Sequence, residues 1–214
     1  SVQEMAELTV KGFDLADKYR MTTMILADGT MGQMMEPVSL DFEVGEKVEK
    51  PWAVTGTKME REHNIVNSLF LKPEELEKTN FERYEKYSYI EENEALCEEY
   101  MMEDAEICVT AFGIAARVAK NAINEARNQG IKVGLLRPIT LWPFPEKALH
   151  DLAGKEHVKH ILDIELSSTG QMIDDIRLSV LGKKPISYLG CAGGMIPAVE
   201  DMVDAAKKAL KEVK

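Results

Sequence analysis

The segment from Ala105 to Pro145 constrains this chain more than any other, because its apolar residues change period twice within it. Ile107 to Thr110 is short, continuous and β-branched, which suits a strand. Beyond Gly113 the spacing becomes helical. Ala115, Val118, Ala119, Ala122, Ile123 and Ala126 form one stripe, while Arg117, Lys120, Asn121, Asn124, Glu125 and Asn128 take the opposite face. Gly130 stands where a helix ends in a left-handed residue. Val133 to Leu136 is a second continuous apolar run, the pattern of a parallel strand covered on both faces. Strand, helix and strand make a right-handed crossover, which predicts a doubly wound sheet.

The rest of the C-terminal half repeats the alternation. The pattern predicts helices over 146–152, 169–181 and 198–213 and strands over 160–164 and 186–189. Ser168 and Gln171 stand in capping-box register, and Pro197 suits a first helical position. Residues 105–214 are thus expected to form one α/β domain with an open, mostly parallel sheet.

Upstream, Ser1 and Glu4 fit a capping box, and Met5, Leu8, Phe13, Leu15 and Ala16 continue at helical spacing to Tyr19. Thr22 to Ala27 reads as a strand ending at Asp28-Gly29. One helix and one strand cannot close a core, so the strand either joins the later sheet or belongs to a longer protein, the reading favoured here. Gly29 to Thr57, with Pro37, Gly45, Pro51 and Gly56, is a long connection of the kind that is usually functional or linker-like. Lys72 to Asp104 reads as a Glu-rich helix with Pro73 at its first position and Leu76, Phe81, Tyr84, Tyr87 and Leu96 on one face. A solvated helix explains it better than an acidic docking surface.

Composition removes several function classes. A net charge of -11 argues against a phosphate-backbone binder, so no nucleic-acid partner is expected. No apolar run approaches the ~20 residues of a membrane span, and no membrane partner is expected. Cys97, Cys108 and Cys191 are isolated, which suits a reducing cytoplasm and supplies no disulfide framework, iron–sulfur or zinc ligand set.

Few residues carry chemistry. Gly113 opens a helix after a strand, where anions are favoured, but AFGIAAR has a single glycine and reads better as a tight turn. Gly190, Gly193 and Gly194 lie in a strand-to-helix turn that could admit a ligand or a partner loop. His157 and His160 lead into a strand and point to opposite faces, which disfavours a metal pair. Cys108, inside a buried strand, is expected to be inert. The loop DGTMGQMMEPV, with Asp28, Gly29, Gly32, Gln33 and Glu36, follows a strand end and exposes methionines, as a contact surface would. No catalytic, cofactor-binding or metal-ligating set can be assembled from the residues themselves.

ILADGTMGQMMEPV resembles the end of the first domain in the alpha subunit of 2-oxoacid:ferredoxin oxidoreductases, and its GQMMEPV form resembles the ketoisovalerate (3-methyl-2-oxobutanoate) type. Lys50-Pro51-Trp52-Ala53, Phe112-Gly113 with Ala116-Arg117, LRPITLWPFP from Leu136 to Pro145, Glu165 through Gly170-Gln171-Met172, and Gly193-Gly194-Met195-Ile196-Pro197 are similar too. The resemblance implies an oxidative decarboxylase of 2-oxoacids that uses thiamine diphosphate with Mg²⁺, coenzyme A, ferredoxin and iron–sulfur clusters. It implies partner subunits of beta, gamma and delta type. Residues 1–50 would be the end of a pyrimidine-binding domain, 51–104 a connecting segment with the acidic helix, and 105–214 a domain like the transketolase C-terminal domain. The Tyr-Pro-Ile-Thr-Pro type turn and the activating carboxylate of the family have no counterpart here. The cofactor and cluster sites are therefore expected mainly in other domains and subunits, and the chain alone is expected to be inactive.

Two other readings remain open on the residues. One is the C-terminal domain of a transketolase or lipoamide-using 2-oxoacid dehydrogenase component, which leaves GQMMEPV unexplained. The other is a non-catalytic interaction or nucleotide-sensing module built on the Gly190–Gly194 turn.

Overall fold

The computed structural model describes residues 1–43, 45 and 47–212, which divide into two compact units. Residues 1–27 and 34–89 form one, and residues 28–33 with those from Ile90 onward form the other.

The second unit is built on five strands: β1 (Cys97–Tyr100), β2 (Ile107–Thr110), β3 (Val133–Pro138), β4 (His160–Glu165) and β5 (Ile186–Gly190). Their spatial order is β1-β3-β2-β4-β5. β2, β3, β4 and β5 run parallel, and β1 adds an antiparallel edge to β3. The expected open, mostly parallel sheet is therefore present. Four helices cover it: α4 (Gly113–Asn128), α5 (Glu146–Gly154), α6 (Met172–Val180) and α7 (Val199–Glu212). The alanine stripe of α4 packs with Met202, Val203 and Ala206 of α7 on Val109, Leu135, Leu162 and Ile164. Leu149 and Leu152 of α5 and Met172 and Ile176 of α6 cover Cys108, Leu136 and Ile161 on the other face. Small residues on α4 let that helix lie close to the sheet, which is why the stripe is alanine rather than leucine.

Three expectations shift here. β1 falls inside the stretch read as one helix to Asp104; that helix, α3 (Pro73–Glu94), stops early, and the amides of Ile139 and Thr140 bond the Leu96 carbonyl instead. CEEY has no apolar alternation because it is an edge strand, whose outer residues face water. α6 begins at Met172, not Thr169, since its first amides are taken by a side chain outside the expected capping box. Pro197 precedes α7 by two residues, and Asp201 reaches back to the Ala198 amide at 3.4 Å. The expected end of that helix at Val213 lies outside the described residues.

The first unit contains α1 (Val2–Tyr19) and most of α3. The Ser1 hydroxyl accepts from the Glu4 amide at 3.1 Å, and the Glu4 carboxylate approaches the Ser1 ammonium, as the capping box predicts. Lys86 of α3 bonds the Tyr19 carbonyl, Lys50 pairs with Asp17 at 2.6 Å, and Arg20 stacks on Trp52. No described apolar side chain of this unit belongs to the buried core. The strand expected over Thr22–Ala27 finds no partner among the described residues, and Met24 and Leu26 are exposed. A strand exists only where a neighbour takes its amides and carbonyls.

Candidate functional site

In open α/β sheets the natural crevice lies where the chain reverses its direction of winding, at the carboxyl ends of the strands. Here that point is between β2 and β4. From β2 the chain passes through α4 to β3 on one side. From β3 it crosses through α5 to β4 on the other side. α4 leaves toward one face and α6 toward the opposite face, so two helix N-termini open beside the crevice.

Both termini are already occupied by carboxylates of the chain. Asp28 Oδ2 accepts from the Ile114 amide at the start of α4 at 2.9 Å, and Oδ1 accepts from Met31 at 2.8 Å. The second bond caps a short helix, α2 (Gly29–Gln33), within the loop read from the sequence as irregular. Gly113 has φ +58, and a Cβ there would lie 2.8 Å from Asp28 Oδ2, so only glycine admits the carboxylate. Both sequence readings of Gly113 meet here: the residue turns the chain at φ +58, and the helix N-terminus it opens holds an anion, the chain's own Asp28 carboxylate.

At α6 the carboxylate is Glu165, only 4% exposed. It accepts from the amides of Gln171, Met172 and Ile173 at 3.0–3.1 Å. This replaces the expected Ser168–Gln171 box. Asp163, two residues earlier on the same strand face, is fully buried. Its Oδ1 accepts from the Thr110 hydroxyl at 3.1 Å, and its Oδ2 has no partner among the described residues. Burial first, and then the neighbouring Glu165 carboxylate, push the Asp163 carboxyl up to about 8 against the lowering effect of the Thr110 hydroxyl. Asp163 pairs in register with Thr110 and Tyr188, and Tyr188 donates to the Ser167 carbonyl.

Among the residues chosen from the sequence, Asp28 reaches the crevice, while Gly29 and Gly32 have open space at their Cα atoms. Gln33 is exposed, and Glu36 accepts from the Val2 amide at 2.9 Å, serving α1. Gly190 packs so tightly that a Cβ would collide with the Ser167 carbonyl and the Tyr188 hydroxyl. Gly193 and Gly194 have φ +69 and +86 in an open loop beside Cys191, whose Sγ lies 3.0 Å from the Met195 carbonyl. Sequence reasoning missed Asp163, Glu165 and Tyr188 as a group. The available signal was HILDIE itself, a strand covered on both faces that carries two carboxylates.

The residues do not fit a diphosphate with its metal. The amides at both crevice helix N-termini point at carboxylates, and among the described residues no group of three or more His, Cys, Asp or Glu side chains converges. His157 and His160 instead bond the Met102 carbonyl and the Ser187 hydroxyl.

Comparison with known proteins identifies the family. Residues 105–202 match the model for pyruvate:ferredoxin oxidoreductase core domain II. The chain is 47% identical, over 95% of its length and 56% of the relative's, to ketoisovalerate oxidoreductase subunit VorB of Methanothermobacter marburgensis. The chain belongs to the 2-oxoacid:ferredoxin oxidoreductase family. Subunit VorB of Methanothermobacter thermautotrophicus is 44% identical over 97% of the chain and 58% of that protein. Against 2-oxoglutarate synthase subunit KorA of M. marburgensis the identity falls to 26% over 95% of the chain and 60% of that protein. The chain thus spans a little over half the length of the curated relatives it matches. The fold resembles that of 2-oxoglutarate:ferredoxin oxidoreductase from Magnetococcus marinus, with TM-score 0.77 and 21% identity over 95% of this chain and 40% of that one. No described helix is long and apolar enough to cross a membrane.

Proposed function

We propose that the chain is part of the alpha-type subunit of an oxidoreductase that decarboxylates a branched-chain 2-oxoacid, 3-methyl-2-oxobutanoate, to its acyl-coenzyme A while reducing ferredoxin. One observation carries the substrate reading: within a single organism, identity is far higher to the ketoisovalerate subunit than to the 2-oxoglutarate subunit. In this reading thiamine diphosphate with Mg²⁺, coenzyme A and iron–sulfur clusters serve the reaction, held by the rest of the subunit and by partners of beta, gamma and delta type in the cytoplasm. The chain's own crevice, with both helix N-termini self-capped, serves as scaffold and contact surface. Residues 1–50 close a pyrimidine-binding domain, 51–104 connect and lend the edge strand β1 to the second domain's sheet, and 105–214 form the rest of that domain, in line with a family match that starts at residue 105. The Asp28–Glu36 loop and the Gly190–Gly194 turn are the contact segments toward ligand or partner subunits.

The test uses the full-length subunit assembled with its partners and purified without oxygen. Coenzyme A-dependent viologen reduction is measured with 3-methyl-2-oxobutanoate and with 2-oxoglutarate side by side. Faster turnover of the branched acid is expected. Faster turnover of 2-oxoglutarate overturns the substrate assignment, and no reduction from a cofactor-loaded complex overturns the activity.

A further inference from the structure

We propose that Asp163 and Glu165 bind one proton between them at neutral pH, carried on Asp163, and that this proton keeps the Glu165 carboxylate in place as the N-terminal cap of α6. Counting donors locates the proton. Both side chains are buried, at 0% and 4% exposed, on one face of β4. No cationic side chain is ion-paired to either among the described residues. Two buried carboxylates two positions apart on one strand face, with no counter-ion, disfavour carrying both charges. Glu165 receives four hydrogen bonds from three backbone amides, all stronger when it is an anion. Asp163 receives one, from Thr110, and has an oxygen left over. The proton therefore belongs to Asp163, whose free oxygen then donates toward Glu165 instead of repelling it.

Among the described residues the surroundings offer no competing group. β2 presents the Thr110 hydroxyl and the Cys108 thiol, which burial pushes up to about 12 and so keeps neutral. β5 presents the Tyr188 phenol, which burial raises from its ordinary value and which donates to Ser167. β3 adds Leu136, and α5 adds Leu149 and Leu152, all apolar. α6 supplies only its first amides. Loss of the proton would leave two facing anions and loosen residues 166–173, the loop and first turn that Glu165 organises.

The test is a titration of the chain carrying ¹³C in its aspartate carboxyl carbons, monitored by NMR. One aspartate resonance is expected to stay protonated at neutral pH while the others have titrated by about pH 5. It is expected to vanish in Asp163→Asn. Thr110→Val, which keeps the shape but removes the donor, is expected to move its midpoint upward, so the assignment stands even if Asp163→Asn fails to fold. Amide exchange at Gln171, Met172 and Ile173 is expected to accelerate above the same midpoint. A wild-type chain in which every aspartate has titrated by about pH 5 overturns the proposal, as does a high-pH titration indifferent to Thr110→Val.

Discussion

Replacing Glu165 with glutamine removes a charge while nearly preserving shape, and the cost can be worked out from the hydrogen bonds each oxygen accepts. Oε1 serves Gln171 and Ile173, and Oε2 serves Gln171 and Met172. Glutamine brings one acceptor, so Gln171 keeps a partner in either orientation while Met172 or Ile173 loses its own. Each of those two residues is buried, and an orphaned amide there costs about 1–3 kcal/mol. Loss of the negative charge beside the α6 N-terminus removes a further ~0.5–1 kcal/mol. The new amide can donate to the free oxygen of Asp163 once that carboxyl, no longer beside an anion, gives up its proton, which returns about 1 kcal/mol. The expected loss is about 2 kcal/mol with that compensation and up to ~4 kcal/mol without it. Native-state hydrogen exchange on β4 and α6 measures it within this unit, independent of residues 34–89. A loss below about 1 kcal/mol, with unchanged exchange at residues 171–173, would refute the capping role.

Four further outcomes are expected. Folding lifts Asp163 from an unfolded value near ~3.9 to about 8, so its contribution to stability is whole below about pH 4 and is lost as pH rises toward 8. The slope is at most about 1.4 kcal/mol per pH unit, and thermal melts of Asp163→Asn from pH 5 to 9 should be flatter than those of the unaltered chain. Asp28→Ala should cost about 1–2 kcal/mol and speed amide exchange at Met31 and Ile114, the two donors it serves. Gly190→Ala should destabilise by about 1–3 kcal/mol in chemical denaturation, since its methyl meets the Ser167 carbonyl and the Tyr188 hydroxyl. Cys108, buried and neutral until about pH 12, should resist alkylation at pH 8 in the folded chain and react on unfolding, as mass spectrometry would record.

The alternation from Ile107 onward was legible because each parallel strand and covering helix writes its own period into the sequence. β2 and α4 fall within a residue of where spacing alone puts them. Failures cluster where local pattern carries no such signal. CEEY, an edge strand, lacks an apolar face to declare it. TTMILA has strand composition but finds no partner among the described residues. The site divides in the same way. Asp28 was visible because a short glycine- and methionine-rich loop surrounds it, but its bond to Ile114 spans 86 positions of sequence. Thr110, Asp163 and Tyr188 lie on three strands brought into register only by the sheet.

The sequence by itself therefore determined the fold class, the two-faced burial of the strands and the family resemblance, because periodicity and residue type are local properties. Tertiary structure decided what fills the two helix N-termini, which carboxyl is left without a donor, and which stretch of strand composition stays unpaired. Those depend on strand order and on neighbours far apart in the chain, and the free energy of a buried charge is set by what surrounds it rather than by its own identity.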